Sequence, residues 1–256
     1  MLGHLISFYP YPETGISFWK KDEVGELGLH GKKLSMRFSD SVLCIGYQEL
    51  EKHVKCPHNL KGWKQCNYCR FKDISRVFTR LDFKGYEELR EEYVHQDFSL
   101  YLAAFGDSII KCGVTRSERV GTRTLEQGAD FWVELMRFDN GEDAYRVETE
   151  LQQRFNLRNS VRNDAKLALL NKPKSPEALE AKIKEIKEKN YLENNLCESV
   201  IVRENAYPVP ESFDVALSID GTITGSKSQL LFYEKDGNHF VVPMYRMAGR
   251  VFLLKE

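Results

Sequence analysis

Short runs of alternating apolar and polar residues open the chain, with turn residues between them. The runs LISFYP, GISFWK, LSMRFS and SVLCIGY all lie within residues 1–51. A period of two predicts strands that bury one face, and the intervening Gly, Pro and Asp residues predict turns. We therefore expect three to four antiparallel strands here, as in a small meander or half-barrel.

The middle of the chain has a different pattern. Apolar runs at residues 100–105 and 109–114 are separated by Gly106 and Asp107, which predicts a hairpin. A polar loop rich in arginine follows, and then an amphipathic segment that carries Glu148. These segments predict a hairpin-plus-helix unit with a tyrosine, arginines and a carboxylate on one face.

Three further stretches are predicted as helices. They are residues 73–96, residues 156–171 and residues 177–190. Arg154, just before the second stretch, and Arg158 and Arg162 within it have the spacing i, i+4, i+8, which predicts one basic stripe. The third has alternating Glu and Lys, which is typical of a solvent-facing spacer or packing arm.

Strand patterns return near the C-terminus. The runs SVIVRE, FDVALSI, QLLFYEKDGNHFVVPMY and RVFLL predict strands, and residues 235–238 predict a hairpin turn. One interpretation is a small antiparallel barrel-like domain, and the other is that these strands pair with the N-terminal strands into one barrel. The predicted fold class is α+β, in four regions: a β-rich region at 1–97, the hairpin-plus-helices core at 98–172, a charged helical connector at 173–198 and a small antiparallel β domain at 199–256.

Composition is ordinary for a globular protein, with 42% hydrophobic and 29% charged residues. No run is long enough to cross a bilayer, and the first residues lack a basic leader with a long apolar core. We expect a cytoplasmic protein without a membrane partner.

The net charge of −1 conceals a basic block. Residues 52–90 carry ten Lys/Arg against four Asp/Glu, a local charge of +6, whereas residues 1–51 carry five against seven. A localised basic block in a neutral protein indicates an anionic partner.

Four cysteines lie in or beside this block. Cys44, Cys56, Cys66 and Cys69 have the spacing C-x11-C-x9-C-x2-C. In a reducing compartment such clustering favours metal over disulfides, and a C-x2-C turn suits tetrahedral Zn²⁺. We expect a structural zinc site, with Cys44 as the fourth ligand and His58 as the alternative. The other two cysteines are interpreted as packing residues: Cys112 and Cys197.

Aromatic and basic residues alternate around the C-x2-C turn. Trp63, Tyr68 and Phe71 are interleaved with four cations: Lys61, Lys64, Arg70 and Lys72. Cations pair with phosphates and aromatic rings stack on bases, so this pattern favours nucleic acid. The alternative is that the rings form the small core that a zinc module needs.

The central motifs are specific. SLYLA, then KCGVTR, then Arg123 followed by EQGA, resemble a family of archaeal and bacterial proteins called domain of unknown function number 2797. That family pairs a cysteine-rich N-terminal region with a YLA…KVGITR…QGA core. The late string GTITGSKSQLLFYEKDG is similar to the family's C-terminal β-rich segment.

More distantly, the core resembles the GIY-YIG nuclease fold. SLY at 99–101 takes the place of GIY, KCG at 111–113 takes that of YIG, Arg123 falls near the catalytic arginine and Glu148 near the metal carboxylate. The resemblance implies an enzymatic alternative, a phosphodiesterase that uses Mg²⁺ or Mn²⁺.

The resemblance also implies roles for four residues. A metal on Glu148 would polarise a phosphoryl oxygen, Arg123 would bind the same phosphate, and Tyr101 would orient or deprotonate the attacking water. The chain departs from the pattern where Lys111 replaces the second tyrosine and Gln127 replaces a histidine. Lys111 would act as a base only if strongly desolvated.

The leading hypothesis is a zinc-containing nucleic-acid-binding protein, with structured RNA or the ribosome favoured as partner. A phosphate-binding surface is expected on the nuclease-like core, at Arg116, Arg119 and Arg123. The predicted nucleic-acid-binding residues as a whole are Lys61, Lys64, Arg70, Lys72, Arg116, Arg119, Arg123, Arg158 and Arg162. The alternatives are the metal-dependent nuclease, with Tyr101, Lys111, Arg123 and Glu148 as its catalytic residues, and a protein–protein adaptor. No oligomeric state is predicted.

Overall fold

The computed structural model describes residues 1–80, 82–189, 197 and 200–255. It is a mixed α+β structure, as predicted, with two compact units. Unit 1 comprises Met1–Gly85 with Pro208–Glu256, and unit 2 comprises Tyr86–Tyr207. Among the described residues, no helix has both the length and the apolar character needed to cross a membrane.

The strands of the described residues follow in chain order: β1 Leu2–Tyr9, β2 Gly15–Lys20, β3 Glu23–Gly28, β4 Lys33–Val42, β5 Tyr47–Gln48, β6 His53–Val54, β7 Phe98–Phe105, β8 Ile109–Arg116, β9 Phe131–Phe138, β10 Arg203–Glu204, β11 Asp214–Val215, β12 Ile219–Lys227, β13 Leu230–Lys235, β14 Asn238–Pro243 and β15 Arg250–Lys255. The helices are α1 Asn67–Lys72, α2 Ser75–Arg80, α3 Glu87–Val94, α4 Val120–Gln127, α5 Gly141–Arg154, α6 Asn163–Ala168 and α7 Glu177–Glu188, with single 3-10 turns at Ser117–Arg119 and Met244–Arg246.

Unit 1 contains one large sheet that joins both ends of the chain. Its described order is β11-β14-β13-β12-β4-β15-β1-β2-β3, so β15 lies between two N-terminal strands. The shared core contains apolar side chains from both ends, including Leu5, Phe18, Met36, Ile219 and Phe252. The prediction of a separate domain at 199–256 therefore differs from the structure, because those strands complete their backbone pairing on β4 and β1. The predicted turn at 235–238 is present, with Asp236 and Gly237 both at positive φ.

Unit 2 is built on the predicted hairpin. The eight residues of β7 pair antiparallel with the eight of β8, and Gly106 takes a positive φ in the turn. The described sheet has the order β10-β9-β7-β8. Alternate residues of β7 serve two cores. Phe98, Leu100 and Leu102 pack in the core that includes α5 and α7, whereas Tyr101 and Ala103 pack in the core that includes Val120 of α4.

Several helix predictions need correction. The helix predicted at 73–96 is two helices, α2 and α3, with Gly85 at positive φ between them. The helix predicted at 156–171 is only α6, because Leu157 and Val161 are buried in an extended segment after α5 ends. The connector predicted at 173–198 contains α7, whose Leu179, Ile183 and Ile186 are core residues of unit 2. Residues 190–196, 198 and 199 of that connector and of the adjoining SVIVRE run lie outside the described residues.

Candidate functional site

The four clustered cysteines converge on one point in unit 1. Cys44, Cys56, Cys66 and Cys69 are buried, and their sulfur atoms all lie within 4.8 Å of one another. Cys56 Sγ and Cys66 Sγ are 3.9 Å apart, which is far longer than a disulfide bond. Tetrahedral Zn–S bonds of about 2.3 Å place sulfurs about 3.8 Å apart. The cluster therefore has the spacing of a four-thiolate site and could bind a metal ion such as Zn²⁺.

Backbone amides surround the sulfur atoms. The Cys66 N–H donates to Cys44 Sγ at 3.2 Å, and the Cys69 N–H donates to Cys66 Sγ at 3.5 Å. Burial raises the pKa of Cys56, but N–H groups of Leu60 and His58 and hydrogen bonds with Cys44 and Cys69 outweigh that effect, so the pKa is lowered to about 7. For Cys44 and Cys69 burial is the larger effect and raises the pKa. Backbone N–H donors stabilise thiolates, the form that binds metal.

His58, the alternative fourth ligand, does not join the cluster. Its side chain is exposed and packs edge-on against Tyr68, with the ring centres 5.1 Å apart. Its backbone N–H contributes to the site instead. Cys112 is fully buried in β8, and burial raises the pKa of both Cys112 and Cys197.

The aromatic residues of the cysteine module, which we define as residues 44–72, are mostly at the surface. Trp63 is 65% exposed, Phe71 is 83% exposed and Tyr68 is 44% exposed. The small core of this module is formed by the four cysteines with Tyr47 and Val54. Trp63 and Phe71 are therefore not its core, and the module presents them to solvent.

Lys61, Lys64, Arg70 and Lys72 of the module are also exposed as residues, although partial burial of the Lys64 ammonium group lowers its pKa. No ion pair involves Lys61, Lys64, Arg70 or Lys72 among the described residues. Residues 52–72 contain no Asp or Glu. We call these four cations with Trp63 and Phe71 the cationic aromatic surface.

The arginines beyond the hairpin are balanced by carboxylates. Arg119 and Arg123 both donate to Glu126, at 2.9 and 3.1 Å. Arg116 lies 3.5 Å from Glu118. The predicted arginine loop is the end of β8, a 3-10 turn and α4, so helical spacing brings Glu126 beside Arg123. Glu126 was not predicted as a partner, although its position three residues after Arg123 in the sequence indicates a helical ion pair.

Arg158 and Arg162 do not form a helical stripe with Arg154. The backbone of Arg158 pairs with β8, because its N–H donates to Ile110 O and its carbonyl accepts from Cys112 N. The Arg158 and Arg162 side chains are exposed, but the extended backbone between them breaks the predicted i, i+4 relation.

Tyr101 and Lys111 meet on one face of the hairpin. Lys111 Nζ donates to Tyr101 Oη at 3.1 Å and lies 5.1 Å from the ring centre. Gly113 makes room for both, since a Cβ there would lie 2.6 Å from Tyr101 Oη and 2.7 Å from Lys111 Nζ. Tyr101 is only 1% exposed and Lys111 only 9%, so the pair is buried.

Glu148 is half-buried on α5. Burial raises its pKa to about 7, and the charge of Lys111 and a hydrogen bond from Gln152 at 3.0 Å oppose this rise. Lys111 thus forms a hydrogen bond with Tyr101 and acts on Glu148 through its charge. Arg123 is engaged with Glu126.

A polar network that the sequence analysis missed adjoins this pair. Ser99 Oγ donates to Glu134 Oε1 at 2.5 Å and lies 2.8 Å from Ser117 Oγ. Arg137 donates to both oxygens of Glu134, which lowers the pKa of that carboxyl. A lone glutamate in the apolar run FWVELM was the signal that it has a partner.

Comparison with known proteins gives one match. The model of a family described as protein of unknown function (DUF2797) matches residues 31–251. No curated protein and no solved structure matches the chain.

Proposed function

This chain belongs to the DUF2797 family of proteins of unknown function, so the family gives it no activity. From the residues of the chain itself, we propose that it is a zinc-containing nucleic-acid-binding protein. Structured RNA or the ribosome is the favoured partner. The cationic aromatic surface carries this proposal, since its cations have no described ion pairs and two of its rings face solvent.

Zinc gives that surface its rigidity. Four buried sulfurs with amide donors fit a closed four-thiolate site, which leaves no position for a substrate and so acts structurally. A short module without a large apolar core needs a cross-linking metal ion to hold exposed side chains in place. The metal positions the surface, and the surface makes the contacts.

Each part of the surface has a separate physical task. The cations neutralise phosphates and release counterions, which makes binding dependent on salt. Trp63 and Phe71 offer faces on which unpaired bases can stack, at about 1–3 kcal/mol per base. This combination suits RNA with exposed bases better than a regular DNA duplex.

The test is binding of the zinc-loaded full chain to tRNA, ribosomes and duplex DNA over a range of salt concentrations. Lys64→Glu with Arg70→Glu should weaken binding on all sequences and reduce the salt slope by about 1.5. Lys32→Glu with Lys33→Glu is the matched control, because it changes the charge equally at exposed positions outside the surface. Salt-independent binding, or equal loss in both double variants, would contradict the proposal.

A second candidate function, a divalent-metal-dependent nuclease of GIY-YIG type, is favoured by the carboxyl of Glu148, whose pKa responds to the charge of Lys111 in the hairpin. In unit 2 the hairpin is followed by α4, which carries Arg123, and later by α5, which carries Glu148. Glu148 would hold Mg²⁺ or Mn²⁺, and Arg123 would bind the phosphate after leaving Glu126. This function ranks second because Tyr101 is buried and Arg123 is paired with Glu126.

Cleavage assays distinguish the two functions. A nuclease should cut labelled RNA or DNA only with a divalent ion, and Glu148→Ala and Arg123→Ala should each abolish cutting while the circular dichroism spectrum is retained. Arg146→Ala is a control, because Arg146 is an exposed arginine on the same helix as Glu148. Cutting that survives both test substitutions would identify a contaminant.

A further inference from the structure

A cavity of about 710 Å³ opens in unit 1 beside the cysteine module. Its walls come from the start of β1, from the end of β2 and the turn after it, from β15, and from residues 43–59 around Cys44. This volume lies within the range of about 300–1,000 Å³ that is typical of small-molecule sites. The nucleic-acid proposal does not use this cavity.

Part of the cavity lining is apolar. Trp19, Leu43 and Val251 line it, and the indole Nε1–H of Trp19 already donates to Ile45 O at 2.8 Å. These side chains offer no free hydrogen-bonding group. They favour the apolar or flat body of a ligand, because burying such a surface releases water.

The lining also includes three lysines. Lys20, Lys21 and Lys55 line the cavity, and Lys55 Nζ donates to Asp22 Oδ1 at 2.9 Å and to Lys21 O at 2.8 Å. Three lysines against this one carboxylate give this part of the lining a net positive charge. His4 adds little charge at neutral pH, since burial lowers its pKa. Lysines on flexible stems are suited to a phosphate as point charges.

We infer that this cavity binds a small aromatic phosphate of the size of a nucleoside monophosphate, with the ring on Trp19, Leu43 and Val251 and the phosphate on the three lysines. The ligand is either a free nucleotide or the phosphorylated end of a nucleic-acid strand. Both share the same recognised chemistry. The inference is independent of the proposed function, because a free nucleotide needs no contact with the cationic aromatic surface.

Calorimetry with the zinc-loaded full chain tests the inference, using AMP and UMP as ligands. Adenosine and inorganic phosphate should each bind at least tenfold more weakly than AMP, because each satisfies only one part of the cavity lining. Lys20→Glu with Lys21→Glu should weaken AMP at least tenfold. Lys32→Glu with Lys33→Glu should leave AMP affinity unchanged, as these lysines do not line the cavity.

Filling the apolar part of the lining provides a second, independent variant. Val251→Trp should abolish AMP binding while zinc content and the circular dichroism spectrum stay unchanged. If that variant misfolds, the exposed Lys20 and Lys21 variant still decides the question. Three results would overturn the inference. They are inorganic phosphate that binds as tightly as AMP, octanoate that binds more tightly than AMP, and AMP affinity that is unchanged by the Lys20 and Lys21 substitutions.

Competition identifies the source of the phosphate. A 5′-phosphorylated RNA tetramer that displaces AMP better than its 5′-hydroxyl form supports a strand end as the ligand. AMP binding without such displacement supports a free nucleotide. Loss of RNA binding in the Lys64 and Arg70 variant, with AMP affinity intact, would show that the two sites are separate.

Discussion

Glu148 makes a measurable prediction about the stability of unit 2. Its carboxyl group is half-buried on α5, and burial raises its pKa from 4.5 to about 7 despite the nearby charge of Lys111. Substitution of Glu148 by Gln keeps the shape and the polar group but removes the ionisation. Stability as a function of pH should therefore change, with little change in structure.

The sign and size follow from proton linkage. The unfolded carboxyl has a pKa of 4.5 and the folded one about 7, so the folded protein binds more protons between these values. The stability that this proton contributes is fully present below pH 4.5 and is lost as the pH rises through about 7. A difference of about 2.5 in pKa corresponds to about 3 kcal/mol. The wild-type protein should lose this amount between pH 4.5 and pH 8, and the Glu148→Gln variant should not.

Urea unfolding followed by tryptophan fluorescence can isolate this effect. Substitution of Trp19 and Trp63 by Phe leaves Trp132 of unit 2 as the sole tryptophan of the chain. In that background we expect the Glu148→Gln variant to gain about 3 kcal/mol relative to wild type on going from pH 5 to pH 8. Glu150→Gln, on the same helix and paired with Arg146, should retain the wild-type profile. Parallel pH profiles for wild type and Glu148→Gln would refute the burial of a titrating carboxyl.

Two further substitutions test the sites separately. Cys69→Ala should remove zinc from purified protein after dialysis and destabilise unit 1 by several kcal/mol, because metal binding contributes to folding. Cys112→Ala, the control, should retain about one zinc per chain by mass spectrometry. Equal zinc contents in the two variants would contradict the four-cysteine assignment. Gly113→Ala should destabilise unit 2 by about 1–3 kcal/mol in urea unfolding, since its Cβ would lie 2.6 Å from Tyr101 Oη and 2.7 Å from Lys111 Nζ; an unchanged midpoint would mean that the pair moves freely.

Local features of the fold were predictable from the sequence. The turn at Gly106 and the turn at Asp236–Gly237 depend on residues that tolerate positive φ. In both turns Gly and Asp are adjacent in the sequence, which predicts a turn. The cysteine cluster was predictable for a related reason, because the four cysteines and their spacing can be read directly from the sequence. The structure adds the amides that donate to the sulfurs, which no side-chain letter encodes.

Long-range features were not predictable. Strand β15 pairs with β1 and β4, more than 200 residues earlier in the chain, and alternation alone does not specify a partner strand. The helix predicted after α5 failed for a similar reason. Arg158 takes part in a backbone bridge to Lys111, and this tertiary pairing overrides local helical spacing.

The pairing of charges decides which cations can serve an anionic partner. Arg116, Arg119 and Arg123 count as +3 in the sequence, but Glu118 and Glu126 contact them, so the net charge of that group is +1. Their contribution to counterion release is reduced accordingly.

The cysteine module differs because its acidic partners are few. Of its cations, Lys52 and Lys55 pair with Glu49 and Asp22, which leaves the four cations of the cationic aromatic surface. At about 0.7–0.9 per phosphate contact, these four would account for a salt slope of about −3. The proposed nucleic-acid binding should therefore owe its salt dependence to unit 1, although the arginine-rich motif of unit 2 is the more conspicuous feature of the sequence.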